Sequence, residues 1–208
     1  MLIAIEGIHG AGKSELIKKI QKYYNGKIPV IITNWNSYET IHPLLYKYRI
    51  KDHMNDKYTY FLMQLADFAF RYYSIIESAI GDSQVLVVAD RYVRTGWVRG
   101  IVRGINEEYV KSAYSFAKEP DVEILLDVDI NISICRRRPT SDNIWKIGMG
   151  VFSSKTQFSE LEYRKYLTIS RNLYLKYAIE NHSLIAKDHL PLDLWKALCQ
   201  EINHKLLF

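Results

Sequence analysis

Cysteine is scarce in this sequence. Its 208 residues include two cysteines, Cys135 and Cys199, which lie far apart and form no C-x-x-C pair. A zinc knuckle, an iron–sulfur centre and a secreted disulfide scaffold all need clustered or paired cysteines, so all three are poorly supported. A reducing compartment fits this composition best, and we expect a cytoplasmic protein.

Long apolar runs and targeting signals are also lacking. The strand-like runs, such as Val85 to Ala89, are far shorter than the roughly 20 residues that cross a bilayer. Met1 to Glu6 leads directly into a glycine-rich loop, without the charged and apolar regions of a signal peptide. No repeat of fixed period and no Gly/Ser-rich linker divides the chain. We therefore expect one domain over residues 1–208 and no membrane partner.

Charge of one sign does not dominate the composition, but the arginines are clustered. The chain has 28 lysines and arginines against 23 aspartates and glutamates, a formal net charge of +5. Arg91, Arg94, Arg99 and Arg103 lie close together, and Arg136, Arg137 and Arg138 are consecutive. Such clusters suit anions, either nucleic acid or small phosphates, and a solvated basic surface is the alternative.

Short apolar runs rich in β-forming residues alternate with longer segments of helical character. The predicted strands are Leu2 to Ile5, Ile28 to Thr33, Val85 to Ala89, Val122 to Val128 and Ser183 to Ala186. The predicted helices are Lys13 to Tyr24, Lys57 to Ile80, Glu107 to Ala117, Ser159 to Asn181 and Leu192 to Leu207. This alternation is typical of a parallel sheet, and the continuously apolar strands indicate helices on both of its faces. The predicted fold class is therefore a three-layer α/β fold.

The helix predicted over residues 57–80 is apolar or aromatic on nearly all sides. A surface helix shows a single apolar stripe, so this helix should be buried on both sides. Packing against the sheet uses one face. We therefore hypothesise that another face meets a second copy of the chain, giving a homodimer.

A glycine-rich loop directly follows the first predicted strand and precedes a predicted helix. Its residues are Gly7, Ile8, His9, Gly10, Ala11, Gly12, Lys13 and Ser14, which match G-x-x-x-x-G-K-[ST]. In such a loop the backbone N–H groups and the helix N-terminus face phosphates. Lys13 should then reach the β- and γ-phosphates of ATP, and the Ser14 hydroxyl should ligate Mg²⁺. An ordinary glycine-rich turn is the alternative, which the preceding strand and following helix disfavour.

The loop alone leaves the use of the γ-phosphate open. A switch or motor ATPase would need a carboxylate at a strand end to hold Mg²⁺, and the stretch Glu123 to Asp129 superficially offers one. A kinase would instead need a second anion or hydroxyl site and a lid that excludes water. Arg91 follows the third predicted strand, at the strand ends where ligands of open α/β sheets bind. We therefore assign the phosphate of an acceptor molecule to Arg91.

Several motifs occur in one order along the chain. They are IEG-x-x-GAGKS at the amino terminus, Asp90-Arg91-Tyr92 after the third strand, Arg103-Gly104, and LDVD before a helix that ends in arginines. Together they resemble the thymidylate kinase family of P-loop nucleoside monophosphate kinases, and the segment Thr33 to Ser37 resembles a loop of its archaeal members. The resemblance covers almost the whole chain. It implies a five-stranded parallel sheet of order 2-3-1-4-5, a dimer, and an acceptor site between helix 57–80 and the Asp90 segment.

The resemblance also implies roles for the arginines that follow the fourth strand. Arg136 matches the family's lid-helix arginine, so it joins Lys13 and Arg91 as a candidate catalytic residue. Arg136 and Arg138 would bind ATP, and a lid would extend over about residues 136–158. Which of the lid arginines is catalytic stays open.

Two positions depart from the family pattern. Many thymidylate kinases carry an acidic residue that serves the sugar of the bound monophosphate, where this chain has His9. The family's Asp-Arg pair in the long helix, whose arginine helps to read thymine, is Asp67-Phe68 here. Arg71 lies one turn later on the same face and is the candidate substitute.

The acceptor site is therefore expected to combine several elements. Its candidate residues are His9, Trp35, Asp67, Phe68, Arg71, Asp90, Arg91, Tyr92 and Arg103. Trp35 or Tyr38, in a loop that replaces the family's Glu-Pro-Gly, would stack on a flat ligand, and simple packing is the alternative. Asp90 would lie with Ser14 near Mg²⁺, and capping of the following helix is its alternative role.

These residues favour an ATP-dependent, Mg²⁺-assisted in-line transfer that converts dTMP to dTDP. An alternative is a kinase of the same fold that acts on another nucleotide or on a non-nucleotide small molecule. A hydroxyl acceptor would need a general base, for which Asp90 or His9 would be the candidate. A lesser alternative is a nucleotide-binding or nucleic-acid-binding protein without turnover. Phosphate-site arginines already account for the basic clusters, so we expect no nucleic-acid partner.

Overall fold

Five parallel strands form a sheet at the centre of the fold. A computed structural model describes residues 1–39, 41–45, 56–136, 160–187 and 190–206. The strands are β1 (Leu2–Glu6), β2 (Val30–Asn34), β3 (Leu86–Asp90), β4 (Val122–Asp127) and β5 (Leu184–Lys187). All pairs are parallel and the order is β2-β3-β1-β4-β5, which confirms the predicted sheet.

Helices cover both faces of this sheet. Within the described residues they are α1 (Lys13–Tyr24), α2 (Lys57–Arg71), α3 (Val93–Val102), α4 (Glu107–Ala113), α5 (Ile130–Arg136), α6 (Glu160–Glu180) and α7 (Leu192–Leu206). A π-helical turn, Tyr72–Ile76, and a last α-helical turn, Glu77–Ile80, extend α2 to its predicted end. Side chains of α1, α6 and α7 pack with Ile3 and Ile5, and side chains of α2, α3 and α4 pack with Leu2 and Ala4. The three-layer prediction is therefore confirmed.

Helix α3 is absent from the helices predicted from sequence because it contains two glycines, which weaken helical propensity. Close packing explains both. A Cβ at Gly96 would lie 2.3 Å from a ring atom of Tyr114, and one at Gly100 would lie 2.8 Å from a methyl of Val110. The two glycines thus let α3 pack closely against Tyr114 and Val110.

The outer face of α2 is exposed in the single chain. Its large apolar side chains with more than a third of their surface accessible are Tyr58, Leu62, Phe70, Tyr73 and Ile75. The face that includes Phe61 and Phe68 is buried on the sheet side. Burial of this helix on both sides, as its composition predicts, therefore does not occur within one chain.

None of the helices among the described residues is both long enough and apolar enough to cross a membrane. Cys135 is exposed, Cys199 is buried, and both are free thiols.

A buried ion pair joins α3 to β4. Arg94 Nε lies 3.1 Å from Glu123 Oε2, and Arg94 Nη2 lies 2.6 Å from Glu119 Oε2. The Ser183 hydroxyl donates to Glu123 Oε1 at 2.6 Å. Burial raises the pKa of the Glu123 carboxyl to about 7, although Arg94 opposes the rise.

This raised pKa predicts a pH dependence of stability. The folded state retains a proton on Glu123 between its ordinary pKa of 4.5 and about 7, whereas the unfolded chain releases it. Stability from this group is therefore present at low pH and lost as pH rises through about 7. Between pH 5 and pH 8 the loss is roughly 2 to 3 kcal/mol. Urea unfolding at both pH values measures this change. The unfolding free energy of Glu123→Gln should fall between pH 5 and pH 8 by roughly 2 to 3 kcal/mol less than that of the wild type.

A matched control separates this effect from other titrating groups. Glu180→Gln changes a half-exposed carboxylate that meets Lys176 at 4.0 Å. Its unfolding free energy should follow that of the wild type at both pH values. Parallel curves for wild type and Glu123→Gln would show that Glu123 stays ionised in the folded state, contrary to the expectation.

Candidate active site

The glycine loop connects β1 to α1 and has the backbone shape that its glycines allow. Gly7 and Gly10 have φ values of 138° and 71°, a region that L side chains rarely adopt. A Cβ at Gly7 would lie 2.5 Å from the carbonyl oxygen of Leu126, and a Cβ at Gly10 would lie 2.7 Å from that of Ser133. Neither position can hold another residue without movement of the backbone of β4 or α5.

Lys13 lies inside the curve of this loop. Its Nζ donates to the carbonyl oxygens of Gly7 at 3.2 Å and Ile8 at 2.9 Å. The side chain is buried although it begins a helix whose next residue, Ser14, is exposed. The loop therefore concentrates a positive charge and a helix N-terminus at one place, which suits the phosphates of a nucleotide.

Helix α5 braces the other side of the loop. The Ser133 hydroxyl donates to the carbonyl oxygen of His9 at 2.6 Å, and Arg136 Nη1 donates to that of Gly10 at 3.1 Å. Arg136, which is predicted to bind ATP, thus lies against the glycine loop. Arg138, with the rest of the predicted lid over residues 137–158, lies outside the described residues.

A cavity of about 580 Å³ opens beside the loop. It is lined by Ala11, Gly12, Glu15, Leu16, Lys19, Leu126, Arg136 and Leu190. A second cavity of the same size lies at the amino ends of β4 and β5, beside Arg94 and Glu123. Of the two, only the first adjoins the glycine loop, so it is the candidate site for the nucleoside of ATP.

Glu6, the last residue of β1, holds the start of α3. One of its carboxylate oxygens accepts from the backbone N–H of Tyr92 at 2.8 Å and of Thr95 at 3.2 Å. Its other oxygen accepts from the Thr95 hydroxyl at 2.6 Å. Tyr92, at the N-cap position of α3, makes no side-chain cap of its own. The buried Glu6 therefore caps this helix from a neighbouring strand.

Arg91 lies between the glycine loop and α6 on a left-handed backbone, with φ of 72°. Its Nη1 donates to the carbonyl oxygen of Gly7 at 2.7 Å and to the Tyr174 hydroxyl at 3.1 Å, and lies 3.4 Å from Thr95 Oγ1. Within the described residues its Nε and Nη2 make no hydrogen bond. One side of the guanidinium is thus fixed against the loop, and two donors remain for an anion.

Asp90 immediately precedes Arg91 and lies at the end of β3, beside Ile5 of β1. Its Oδ1 is buried and has no hydrogen-bond partner among the described residues. The alternative role, capping of α3, is wrong because Glu6 performs it. A buried carboxylate oxygen without a partner at Asp90 and the hydroxyl of the exposed Ser14 are oxygen ligands of the type that Mg²⁺ prefers. These residues therefore fit the ion.

Arg71 is buried where α2 faces the end of β2, with 1% of its surface exposed. Its Nη1 donates to Thr33 Oγ1 at 3.2 Å. Its Nε and Nη2 are buried without a hydrogen-bond partner among the described residues. Burial lowers the pKa of its guanidinium to about 10, which still leaves it charged at neutral pH. Such unpaired buried donors are costly and indicate a place for a ligand.

Aromatic rings surround this guanidinium. Its central carbon lies 5.3 Å from the ring centre of Phe68 and 5.6 Å from that of Trp35. The Trp35 ring also packs 6.4 Å from that of Tyr114 in a stacked arrangement. Tyr38 stacks on Phe70 at 4.8 Å. Both rings therefore have aromatic packing partners, and stacking of Trp35 or Tyr38 on a ligand stays a prediction.

Asp67 secures the loop that carries these aromatics. Its Oδ1 accepts from the backbone N–H of Tyr38 at 3.0 Å. The carboxyl is almost wholly buried, and this burial raises its pKa. Asp67 thus holds the loop after β2 on α2, beside the turn that presents Arg71.

The remaining predicted acceptor residues lie around the same region. Tyr92 is fully buried and its hydroxyl donates to the carbonyl oxygen of Lys118 at 2.9 Å, which makes it a core residue. Arg103 Nη1 donates to the carbonyl oxygen of Arg99 at 2.6 Å, and its guanidinium lies 4.7 Å from the ring centre of Tyr60.

Residues 5–182 match the family model described as Thymidylate kinase. The chain belongs to the thymidylate kinase family. It is similar to a probable thymidylate kinase 2 of Saccharolobus solfataricus, with 31% identity over 99% of each chain. It is also similar to probable thymidylate kinases of Pyrobaculum aerophilum and Metallosphaera sedula. Each of these is 29% identical over 99% of this chain, covering 98% and 93% of the relative.

Two departures from the thymidylate kinase pattern can now be placed. His9, which replaces the acidic residue, lies in the glycine loop with its Nδ1 3.3 Å from the Tyr163 hydroxyl. Phe68, which replaces an arginine, packs in the core beside Tyr92 and Tyr114. Arg71 therefore provides the guanidinium on this stretch of α2.

Sequence reasoning missed three residues of the site. Thr95 and Tyr174 contact Arg91, and Arg99 lies 5.8 Å from the Trp35 ring and lines a small cavity of about 10 Å³ with Arg91. Thr95 and Arg99 are four positions apart in α3, a spacing that could have grouped these two on one helical face. No local signal connects Tyr174 to them.

Proposed function

We propose that this protein transfers the γ-phosphoryl group of ATP to dTMP and forms dTDP. The observation that carries the proposal is the position of Arg91. Its Nη1 is fixed to the Gly7 carbonyl of the donor loop, and its other nitrogens remain open to an anion. A phosphate bound there would lie directly beside the phosphates held by the loop. Membership of the thymidylate kinase family supports this reading.

The glycine loop would form the site for ATP, the phosphoryl donor. Its backbone N–H groups and Lys13 would hold the β- and γ-phosphates, with the nucleoside in the cavity beside Arg136 and Leu190. Ser14 and Asp90 would hold Mg²⁺, which would neutralise charge on the phosphates. The Arg136 side chain, anchored on the Gly10 carbonyl, would add positive charge on the same side.

The acceptor needs no general base, because the oxygen of a monophosphate is already anionic. Catalysis then depends on position and on neutralisation of charge. Arg91 would bind the acceptor phosphate through Nε and Nη2 in the two-pronged geometry that guanidinium and phosphate share. Its anchor on Gly7 would keep that phosphate in line with the γ-phosphate.

Arg71 would read the base. Its unpaired Nε and Nη2 can donate but cannot accept. Thymine presents a carbonyl at C4, whereas cytosine presents an amino donor there. A donor-only group therefore favours thymine or uracil over cytosine. The thymine ring would pack against the half-buried Trp35, whose ring flanks the guanidinium.

Replacement of Arg71 tests this assignment because it should weaken the use of dTMP without lowering the stability of the protein. Arg71→Met should raise the KM for dTMP by about 10- to 100-fold, because a hydrogen bond from a charged donor is lost. The same change should leave the melting temperature unchanged or raise it, because it removes a buried, incompletely paired charge. Steady-state kinetics and thermal melting measure the two effects.

The ATP titration serves as the internal control for Arg71→Met. The KM for ATP should stay at the wild-type value because the hydrogen bond of Arg71 goes to Thr33 and not to the glycine loop. An unchanged KM for dTMP, or a lower melting temperature with losses for both substrates, would identify Arg71 as a structural residue.

A switch or motor ATPase is less well supported. Asp127, the carboxylate at the end of β4, is paired with Arg171 through contacts of 2.5 and 2.8 Å. Glu123 is paired with Arg94. Asp129 accepts from the backbone N–H of Asn131 at 2.8 Å. The carboxylates of this stretch are thus engaged in structural contacts.

A panel of acceptors tests the proposed substrate. ADP release is measured with ATP and Mg²⁺ against dTMP, dUMP, UMP, dCMP, CMP, AMP and GMP, with a control that lacks an acceptor. Selective turnover of dTMP is the expected result. Turnover of another monophosphate would support kinase activity but show that the enzyme has a different specificity. Silence across the panel, or equal release without acceptor, would contradict the proposal.

We also propose that the whole chain forms one kinase domain and acts as a cytoplasmic homodimer. The exposed apolar face of α2 supports the dimer, because a second α2 would cover Leu62, Phe70 and Tyr73. Sedimentation velocity at micromolar concentration tests it. A dimer is expected, and a monomer would contradict it.

A further inference from the structure

Tyr174 of α6 reaches the acceptor arginine across the core. Its hydroxyl lies 3.1 Å from Arg91 Nη1 and 2.7 Å from Thr95 Oγ1. Thr95 is fully buried and Tyr174 is nearly so. The two hydroxyls therefore exchange no hydrogen bonds with bulk water, and their partners are fixed by the fold.

The direction of each hydrogen bond in this chain follows from the donors available. The Thr95 hydroxyl donates its proton to Glu6 Oε2 at 2.6 Å, so it can only accept from Tyr174. The Tyr174 hydroxyl then donates to Thr95, and its oxygen accepts from Arg91 Nη1. The bonds therefore run from Arg91 through Tyr174 and Thr95 to Glu6, from a cation to a carboxylate. Each bond polarises the next in the same sense.

This chain explains how Arg91 keeps one orientation. Its backbone has a positive φ, and without Tyr174 its side chain would be held by the bond to Gly7 and by the long 3.4 Å contact with Thr95 Oγ1. The Tyr174 hydroxyl provides a second close anchor for the same nitrogen, on the side of α6. With two close anchors on Nη1, rotation of the guanidinium is blocked and Nε and Nη2 keep their direction.

We propose that Tyr174 is a positioning residue for phosphoryl transfer, which acts through Thr95, Glu6 and the guanidinium of Arg91. The inference rests on the proposed binding of the acceptor phosphate by Arg91. Loss of the Tyr174 hydroxyl removes one anchor and lets the guanidinium turn away from the phosphate. Misplacement of about 1 Å at a reacting group costs on the order of 10²-fold in rate.

Tyr174→Phe tests the proposal. It should lower kcat/KM for dTMP by about 10- to 100-fold, with changes in both kcat and the KM for dTMP. The affinity for ATP without acceptor, measured by calorimetry, should remain that of the wild type. Tyr177→Phe is the matched control, because Tyr177 is on the same helix, equally buried, and packs against Trp97 away from Arg91. It should keep wild-type kinetics.

Two substitutions of Thr95 test the same chain of hydrogen bonds, one that breaks it and one that preserves it. Thr95→Val should reproduce the loss seen in Tyr174→Phe, because it removes the hydroxyl and keeps the shape. Thr95→Ser should retain activity, because it keeps the hydroxyl. Acceptor kinetics of Tyr174→Phe equal to those of the wild type, or an equal loss in Tyr177→Phe, would overturn the proposal.

A readout without turnover separates this inference from the proposed function. The side-chain ¹⁵N–¹H signals of Arg91, assigned by comparison with Arg91→Lys, should be sharp and slow to exchange in the wild type and lost in Tyr174→Phe. That result in a wild type that does not phosphorylate dTMP would refute the proposed function and retain the positioning role. Identical Arg91 signals in both proteins would refute the positioning role.

Discussion

Lys13→Ala is expected to lower kcat by at least about 10³-fold, because it removes the positive charge that is proposed to bind the β- and γ-phosphates. The ammonium is held in place by the carbonyl oxygens of Gly7 and Ile8, inside the curve of the loop. Its position is thus set before any nucleotide binds, which is the condition for an electrostatic contribution to the rate. Coupled ADP release with saturating dTMP measures the effect.

Lys18→Ala is the matched control for this variant. Lys18 lies on the same helix, is largely exposed, and meets Glu15 at 3.8 Å. Its loss should leave kcat and the melting temperature at wild-type values, since an exposed pair contributes little. Turnover retained in Lys13→Ala would reject the assignment of the glycine loop as the donor site.

Arg91→Ala is expected to lower kcat/KM for dTMP by about 10³-fold and to change the KM for ATP far less. The guanidinium has one nitrogen engaged with Gly7 and Tyr174, so its other donors are free to bind the acceptor phosphate. Removal of the side chain would delete the group that is proposed to bind the acceptor and would leave Lys13 at the proposed donor site. Titrating each of dTMP and ATP at a fixed concentration of the other separates the effect on kcat/KM for dTMP from the effect on the KM for ATP.

Arg91→Lys distinguishes charge from geometry at the same position. An ammonium keeps the charge but cannot make the paired bonds of a guanidinium, so an intermediate loss is expected. Arg164→Ala is the outside control, because Arg164 is partly exposed on α6 and pairs with Glu160 at 2.7 Å. Unchanged kcat and KM for dTMP in Arg91→Ala would refute its role.

The sheet and the glycine loop were predictable because their signals are local. Five apolar runs with helical segments between them predict a parallel sheet, and each run lies within a few residues of its observed strand. The loop motif requires a strand before it and a helix after it, and β1 and α1 satisfy both conditions. The order of the strands came from the family resemblance, since local patterns do not encode it.

The supports of the site were not predictable, because they join distant parts of the chain. Tyr174 and Arg91 lie 83 positions apart, and Glu6 and Thr95 lie 89 apart. Nothing in the sequence near Glu6 indicates that its carboxylate caps a helix after β3. Two glycines lower the helical propensity of α3, so sequence does not predict this helix. Their presence is explained only by the close approach of Tyr114 and Val110 in the folded structure.

Arg71 shows an intermediate case. Helical spacing from Phe68 placed it on the correct face of α2, so its location could be predicted. Its value as a reader of the base depends on two buried nitrogens without partners, which only the packed structure reveals. The loop with Trp35 and Tyr38 likewise gave two interpretations from sequence, and the structure adds the ring contacts with Phe68 and Phe70 that sequence could not show.

The fate of the γ-phosphoryl group tests the central proposal most directly. ATP labelled with ³²P at the γ-position is incubated with the wild-type protein, Mg²⁺ and dTMP, and the nucleotides and inorganic phosphate are separated. The arrangement of Lys13, Arg91 and Arg71 predicts that the label appears in dTDP and that Lys13→Ala and Arg91→Ala abolish it. Label found in inorganic phosphate, at the same rate with and without dTMP, would contradict a kinase.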